Sequence, residues 1–242
     1  MQPSKRSNMR LTAFIGLLLI SMSLVAQPGG RDVAKNIWVD GQKHGKWIET
    51  FEGSDKVRYE ATFDHGRPIK VTHYHTNGQK RAIMVFDQAG KTCLVTEWHA
   101  NGKIGAEGTY ASRGVRSGTW KIYDKKGLLI AKESYVQGVQ DGAQVYYYPG
   151  GQQVLERGNM VDGKKHGQWL RFLEDGTKSK IENFNQGQYH GEWRLFNVTG
   201  QLMVIGHFEY DLRHGKWLFY EKGQVVRVEH YRRGKLIEKK ED

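Results

Sequence analysis

The chain of 242 residues has one cysteine, four prolines and no hydrophobic run long enough to cross a bilayer. Because Cys93 has no second cysteine to pair with, no intramolecular disulfide can form, and packing and hydrogen bonding must hold the fold together. The 30 glycines far outnumber the prolines, and aromatic residues make up 12% of the chain. This balance is typical of a chain that turns often and carries broad, flat side chains between its turns.

Acidic residues are absent from the N-terminus, where the first one is Asp32. Three basic residues precede an apolar run from Leu11 to Ala26, which is the pattern of a secretory signal. The run has 16 residues, fewer than the ~20 that a membrane-spanning helix needs. We predict a signal peptide at 1–26, with an uncleaved N-terminal anchor as the alternative. Either interpretation predicts an exported protein of the periplasm, the cell surface or the extracellular space.

No cysteine follows the apolar run, so a lipid anchor has no acceptor residue, and we expect membrane association to be peripheral at most. Loss of the signal removes three basic residues and no acidic ones, which lowers the net charge from +11 to +8. This basic balance suits anionic partners such as lipid or glycan. Dense Lys/Arg runs are absent apart from Lys239 and Lys240, and no nucleic-acid partner is expected.

A phrase of seven residues, Gly-x-x-x-Gly-x-Trp, recurs along the chain. Four copies are complete, and a fifth begins at Asp211 and keeps the second glycine and the tryptophan. The residues that define the predicted repeat are Gly41, Gly45 and Trp47; Gly114, Gly118 and Trp120; Gly163, Gly167 and Trp169; Gly187, Gly191 and Trp193; Gly215 and Trp217. A sixth copy, from Gly138, has Gln144 in place of the tryptophan.

Two further copies are degenerate. The alignment replaces both key residues in each of them: Lys70 and Thr72 in the copy from Gly66, and Leu94 and Thr96 in the copy from Gly90. Successive copies start 24 or 25 residues apart, and each has another glycine 12 or 13 residues after its start. Two turns in each copy leave two segments of about eight residues, a usual strand length.

Each copy is therefore predicted to be one β-hairpin. Eight hairpins in series predict an all-β fold, an elongated antiparallel β-meander of tandem repeats of about 24 residues. The dipeptides Asn77-Gly78, Asn101-Gly102 and Asp175-Gly176 agree with this prediction, since they accept positive φ, as tight hairpin turns require. Trp169 and Phe172 are three residues apart and would point to opposite faces of a strand, so the sequence leaves open whether the ribbon stays flat or rolls up.

The predicted organisation has four parts. They are the signal peptide at 1–26, an N-terminal lead-in at 27–40, eight hairpin repeats at 41–234 and a charged C-terminal tail at 235–242.

The phrase from Gly163 to Phe172 and its counterpart from Gly187 to Phe196 resemble the bacterial variant of the MORN repeat (membrane occupation and recognition nexus). The resemblance covers about residues 41–234. It implies a ribbon of β-hairpins that acts in protein association, with phospholipid binding proposed for some members, and it implies no catalytic residues. Bacterial proteins with this variant are also often labelled antitoxins, which implies a toxin protein in the cytoplasm as an alternative partner.

The signatures of common enzymes are absent from the sequence. Cys93 has no nearby histidine, and no serine lies in a nucleophile-elbow context. The glycine phrases alternate with predicted strands and open no helix that would bind a phosphate. The carboxylates show no paired spacing for acid and base catalysis. We therefore predict no catalytic residue, no cofactor and no enzyme activity.

Four histidines precede the second glycine of a repeat: His44, His166, His190 and His214. Equivalent positions in neighbouring hairpins are two strands apart, about 9 to 10 Å at ~4.8 Å per strand, whereas zinc ligands lie ~2 Å from the ion. The row is therefore not expected to bind a metal. Histidine is enriched at positive φ, and we interpret the four as turn residues.

The repeated tryptophans have two interpretations. They either pack one hairpin on the next or form an exposed ladder for glycans or extended peptides, and a fixed repeat position favours packing. The function predicted is that of a non-catalytic, exported scaffold or adaptor that binds another protein through a face or an edge of the ribbon. A binder of anionic lipid or glycan, and an antitoxin-like partner of a toxin protein, are the alternatives.

Overall fold

The structure is a computed structural model that describes residues 35–111 and 114–241, whose strands form one open antiparallel sheet. The predicted signal peptide at 1–26 lies outside the described residues. The described part of the chain contains no α-helix. The prediction of an all-β meander of hairpins is thus confirmed.

The sheet has 19 strands. The first nine are β1 (Ile37–Val39), β2 (Gln42–Thr50), β3 (Val57–Asp64), β4 (Arg67–Tyr74), β5 (Lys80–Phe86), β6 (Cys93–Trp98), β7 (Ile104–Ala111), β8 (Val115–Tyr123) and β9 (Leu129–Val136). The others are β10 (Val139–Tyr147), β11 (Val154–Val161), β12 (Lys164–Phe172), β13 (Lys178–Asn185), β14 (Gln188–Tyr189), β15 (Gly191–Phe196), β16 (Leu202–Glu209), β17 (Leu212–Glu221), β18 (Gln224–Arg232) and β19 (Lys235–Glu241).

Strands that follow one another in the chain are neighbours in the sheet. The one variation is that β13 pairs with both β14 and β15, which continue one another on either side of His190. The first strand, β1, falls within the predicted lead-in at 27–40, and the last, β19, falls within the predicted tail at 235–242. Both edges of the sheet therefore lie outside the eight predicted repeats.

The turn that opens most repeats is a two-residue hairpin turn; the turn at Gly90 is longer, with the Asp87 N–H donating to the carbonyl of Thr92. Between β11 and β12, Asp162 and Gly163 have φ angles of 50° and 74°, and Val161 pairs with Lys164 across them. Positive φ at both central residues is the type I′ geometry, which matches the right-handed twist of the strands. The residues that take the place of Asp162 in other repeats, also with positive φ, are Asp40, His65, Gln137, Gln186 and Tyr210. Arg233 takes this place in the turn before β19.

The second turn of a repeat has a different geometry. After β4, the Gly78 N–H donates to the carbonyl of His75, and the His75 N–H donates to that of Gln79. Gly78 has a φ of 84°, but Asn77 has no positive φ, so Asn77-Gly78 is not the two-residue turn that the dipeptide suggests. Instead, Asn77 accepts the Gln79 N–H at 3.0 Å and donates to the Ala100 carbonyl at 2.8 Å. Its side chain thus links two successive turns.

One face of the sheet carries the tryptophans, and we call it the tryptophan face. Four of the rings are at most 8% exposed: Trp47, Trp120, Trp169 and Trp217. The last three lie over glycines of the preceding strand, namely Gly108, Gly158 and Gly206 in that order. A Cβ atom on any of these glycines would come within 2.2 to 2.3 Å of a ring carbon. The absence of a side chain on the preceding strand therefore makes room for each ring.

A bulge just before each tryptophan sets the position of its ring. In β12, Trp169 follows Gly167, whose φ is 68°, and the register with β11 shifts between Arg157 and Asn159. At this shift the Trp169 Nε1–H donates to the carbonyl of Asn159 at 3.0 Å. The indole thus gains a hydrogen bond inside the face while its ring covers apolar surface.

The same hydrogen bond recurs in other repeats. Trp120 donates through Nε1 to the carbonyl of Thr109 at 3.1 Å. Gln144, which takes the place of a tryptophan, is fully buried and donates through Nε2 to the carbonyl of Ser134, also at 3.1 Å. The glutamine therefore replaces the indole as a donor as well as in position.

The two degenerate repeats have a different register on this face. The row that starts at Trp47 continues, strand by strand and in direct register, through Ala61, Val71, Met84, Val95 and Gly108. The alignment that placed Thr72 and Thr96 at the tryptophan positions was therefore wrong by one residue. Without the second glycine, fewer residues are looped out between the opening turn and this position, so Val71 and Val95 lie on the tryptophan face.

We expect Gly158→Ala to destabilise the fold by about 1–3 kcal/mol, because the added methyl group overpacks the buried site under Trp169. Urea unfolding, monitored by circular dichroism, would measure the loss of stability. Gly105→Ala is the matched control, since Gly105 is also a strand glycine without positive φ and its nearest neighbour is the His99 side chain at 3.2 Å. Equal losses in the two variants would contradict the role of the ring.

Candidate functional site

The glycines of the predicted repeat phrase all have positive φ, from 65° to 103°. They are Gly41, Gly45, Gly114, Gly118, Gly163, Gly167, Gly187, Gly191 and Gly215. The first glycine of a phrase lies at the turn that opens the repeat, and the second lies at the bulge before the tryptophan. These residues shape the backbone and offer no side chain to a ligand.

The predicted tryptophans pack within the sheet. Trp193 is less buried than the other four, and its ring lies 5.7 Å from that of Trp217 and 6.3 Å from that of Phe208. Trp47 makes similar contacts, with its ring 5.2 Å from Trp38 and 6.2 Å from Phe63. The repeated tryptophans therefore hold neighbouring strands together and do not form an exposed ladder.

The repeated histidines lie beside the bulge glycines. None of the four has positive φ: His44, His166, His190 and His214. Their interpretation as left-handed turn residues was wrong, because the left-handed conformation falls on the glycine that follows each of them. The histidine that does occupy a turn with positive φ is His65, at 44°.

A basic residue four positions before the tryptophan is a further element of the repeat that the sequence analysis missed. The cationic groups of Lys43, Arg116, Lys165 and Arg213 lie 3.9 to 4.5 Å from the ring centroid of their own tryptophan. Three of them also lie within 4.0 Å of a carboxylate, on Glu133, Glu156 or Glu229. Their charges are thus engaged inside the tryptophan face. The fixed spacing would have revealed them in the sequence.

The tryptophan face opens into a groove over the degenerate repeats, where Val71 and Val95 hold the tryptophan positions of the row. Two cavities of about 440 and 310 Å³ lie there and share His73 and Arg81. We call the two together the central groove. Its main lining residues are Phe51, Arg58, Tyr59, His73, Arg81, Met84, Glu97, Trp98 and Tyr110. The groove exists because two successive repeats lack the large ring that fills this place elsewhere.

The central groove runs across five neighbouring strands, from Tyr59 on β3 to Tyr110 on β7. Five strands span four intervals of ~4.8 Å, or roughly 19 Å. An extended chain advances about 3.3 Å per residue, so the groove has room for five or six residues. A short extended segment of protein fits this length.

The electrostatics of the groove are mixed. Burial, followed by the charges of Arg81 and Arg58, lowers the pKa of His73, so its ring is neutral at pH 7. Tyr110 donates its hydroxyl to Glu97 at 2.8 Å. Burial, followed by this hydrogen bond and the glutamate charge, raises the pKa of Tyr110 to about 12. The groove thus presents two arginines, one carboxylate and several aromatic rings.

Two residues of types that occur in catalytic sites, Cys93 and Tyr110, are held in unreactive states. Cys93 is 3% exposed, and burial is the main cause that raises the pKa of its thiol, which keeps it protonated and unreactive. Tyr110 is a weak acid at neutral pH and is bound to Glu97. A set of three groups that fits a metal ion occurs elsewhere, at the turn between β3 and β4, where His44, Asp64 and His65 come together.

No protein-family model matches the chain, and no curated protein matches it in sequence. Within residues 35–111 and 114–241, no helix is long and apolar enough to span a membrane.

The raised pKa of Tyr110 predicts a loss of stability at high pH. The folded state keeps the phenol protonated up to about pH 12, whereas the unfolded chain ionises near the ordinary value of 10.0, so the contribution is complete below pH 10 and is lost as the pH rises towards 12. We expect Tyr110→Phe to be less stable than the wild type at pH 8 and the difference to shrink between pH 10 and 12. Urea unfolding at each pH would measure it, and a constant difference would contradict the assignment.

Proposed function

We propose that the protein is a non-catalytic, exported module that binds another protein by holding a short extended segment of it in the central groove. The observation that carries the proposal is the groove itself, an opening about five strands wide in a face that tryptophans fill elsewhere. The function is that of a scaffold or adaptor. A toxin protein, which the repeat resemblance implies as an alternative partner, would be one case of such a segment.

The composition of the groove supports a protein ligand. Tryptophan, tyrosine and arginine are the residues most often responsible for binding energy in protein interfaces, and methionine adapts to irregular partners. The groove presents Tyr59, Arg81, Met84 and Trp98 together. These side chains can enclose an apolar or aromatic side chain of the partner while Arg81 or Glu97 contacts its backbone or a charged group.

The alternative of an anionic lipid or glycan ligand draws on Arg58 and Arg81. Arg58 is paired with Glu49, and the four basic residues of the repeat lie on tryptophan rings, three of them near carboxylates. The basic residues of the tryptophan face are thus engaged within it, which favours the protein ligand. Binding to anionic vesicles that falls steeply with added salt would instead support the alternative.

Site-specific photo-crosslinking tests the groove directly. A photoreactive phenylalanine at Trp98, inside the groove, is expected to crosslink to one envelope protein in the native cell. The same group at Leu94, which lies on the same strand, is 67% exposed and belongs to the opposite face, serves as the matched control and should not crosslink to it. Mass spectrometry of the adduct then gives the crosslinked segment of the partner.

A synthetic peptide of that segment should bind the purified chain in calorimetry, and Arg81→Glu should weaken binding about 30-fold or more, as loss of an interface hot spot does. Lys121→Glu, an exposed lysine of the opposite face, should leave the affinity unchanged. Equal crosslinking from both positions, or equal affinity in both charge variants, would contradict the proposal.

The export part of the proposal predicts a processed N-terminus. Mass spectrometry of the protein from the cell envelope should find a chain that starts near Gln27, because cleavage is expected after Ala26. An intact Met1 on protein from the cytoplasm would contradict export and favour the antitoxin-like role.

A further inference from the structure

The turn between β3 and β4 brings three potential metal ligands together. His44 lies in β2 just before the bulge, Asp64 is the last residue of β3, and His65 is the first residue of the two-residue turn that follows. One ligand atom from each of the three side chains lies within 4.8 Å of the others. Because the bulge of one repeat lies beside the opening turn of the next, residues 20 and 21 positions apart meet here.

We propose that His44, Asp64 and His65 bind a divalent transition-metal ion of the zinc class. The proposal does not depend on the central groove or on the partner that it binds.

The separations suit such an ion. His65 Nδ1 lies 2.8 Å from Asp64 Oδ1, and His44 Nδ1 lies 3.9 Å from the same oxygen. Tetrahedral ligands at 2.0–2.1 Å from zinc are about 3.3 Å from one another, so the two observed distances bracket the value. The two imidazole nitrogens lie within 4.8 Å of each other. Side-chain rotations that move these atoms by roughly 0.5 to 1.5 Å would therefore complete three of the four positions.

The ligand types select the metal. Two imidazoles and one carboxylate suit zinc and its neighbours among the transition metals, whereas magnesium and calcium prefer oxygen ligands. All three side chains are between 38% and 59% exposed, which leaves an entry path and a free position for water.

The carboxylate is already oriented. Arg67 donates to Asp64 Oδ2 at 2.7 Å and also donates to the carbonyl of Gln88, so that Oδ1 remains directed to the two imidazoles. Outer contacts of this kind position metal ligands in known sites. The positive charge of Arg67 repels a bound cation and weakens its binding. We therefore expect that both imidazoles are needed to hold the metal ion.

The architecture recurs in the other repeats, but the ligand set does not. His190 lies against Tyr210 with ring centroids 4.8 Å apart, as His44 lies against His65 at 4.7 Å, so the same positions meet in both repeats. The residues that correspond to Asp64 and His65 are Asn185 and Gln186 near His166, and Arg232 and Arg233 near His214. Among residues 35–111 and 114–241, no other group of three such ligands comes together. A metal here would fasten the first two repeats to each other.

Calorimetric titration of the untagged, chelator-treated chain with zinc chloride tests the site. We expect one zinc ion per chain and no heat of binding with magnesium. His44→Ala, Asp64→Asn and His65→Asn should each weaken zinc binding by about tenfold or more, since even second-shell changes cost that much. Asparagine is used at position 65 because it tolerates the positive φ there. His166→Ala, a histidine of the equivalent repeat position, is the matched control and should bind zinc as the wild type does.

Two further readouts separate binding from folding. Circular dichroism without metal should show that each variant is folded, and zinc should raise the unfolding temperature of the wild type and of His166→Ala but not of His44→Ala. Cobalt in place of zinc should give the visible absorption of a tetrahedral site in the wild type but not in His44→Ala, Asp64→Asn or His65→Asn. Non-saturating zinc binding by the wild type, or equal binding by His44→Ala and His166→Ala, would overturn the proposal.

Discussion

A tryptophan ring that lies across the preceding strand is the packing element on which this sheet depends. In two repeats the indole N–H also donates to a carbonyl of that strand. In the bond from Trp169 to Asn159, the donor is satisfied while the ring covers Gly158, so a large aromatic residue is buried in a sheet one layer thick. A single sheet has no opposing layer against which to bury side chains, and most strand residues are only half-buried. The ring lying across its neighbouring strand supplies the missing cover. Gln144 retains the donor where the ring is absent.

The central groove follows from the same constraint. Lys70 and Leu94 cannot easily take the left-handed conformation that glycine takes in the bulge, so the register of the two degenerate repeats differs from that of the others. Val71 and Val95, which are much smaller than tryptophan, then occupy the tryptophan positions of the row. The absence of the tryptophan rings therefore leaves the cavity, and the charged and aromatic residues around the cavity are accessible to a ligand.

The metal-ligand cluster and the groove lie in repeats next to each other, near the N-terminal end of the sheet, and each arises where a repeat departs from the common pattern. Regular repeats use their polar residues internally, as the ion pair of Arg116 and Glu133 does beneath Tyr135, whose hydroxyl contacts both. Asp64 and His65 supply two ligand groups at positions where the corresponding pairs of other repeats supply at most one, such as Asp162 or Glu209. Departures from a repeat are therefore more informative about function in this protein than its consensus residues.

The sequence by itself determined the strand and turn pattern, because glycines at a fixed period and β-prone segments between them leave few other structures. It also identified the tryptophans as packing residues. It could not place Val71 instead of Thr72 on the tryptophan face, because a bulge changes which residues of a strand lie on that face. The number of residues looped out at a bulge is decided by the pairing of the two strands. Nor could the sequence predict that His44 lies beside Asp64 and His65. Spacing along the chain suggested a comparison of His44 with the equivalent histidines of other repeats. Hydrogen bonding between strands instead places the bulge of one repeat against the turn of the next. Contacts across strands depend on register, and register is a property of the folded sheet.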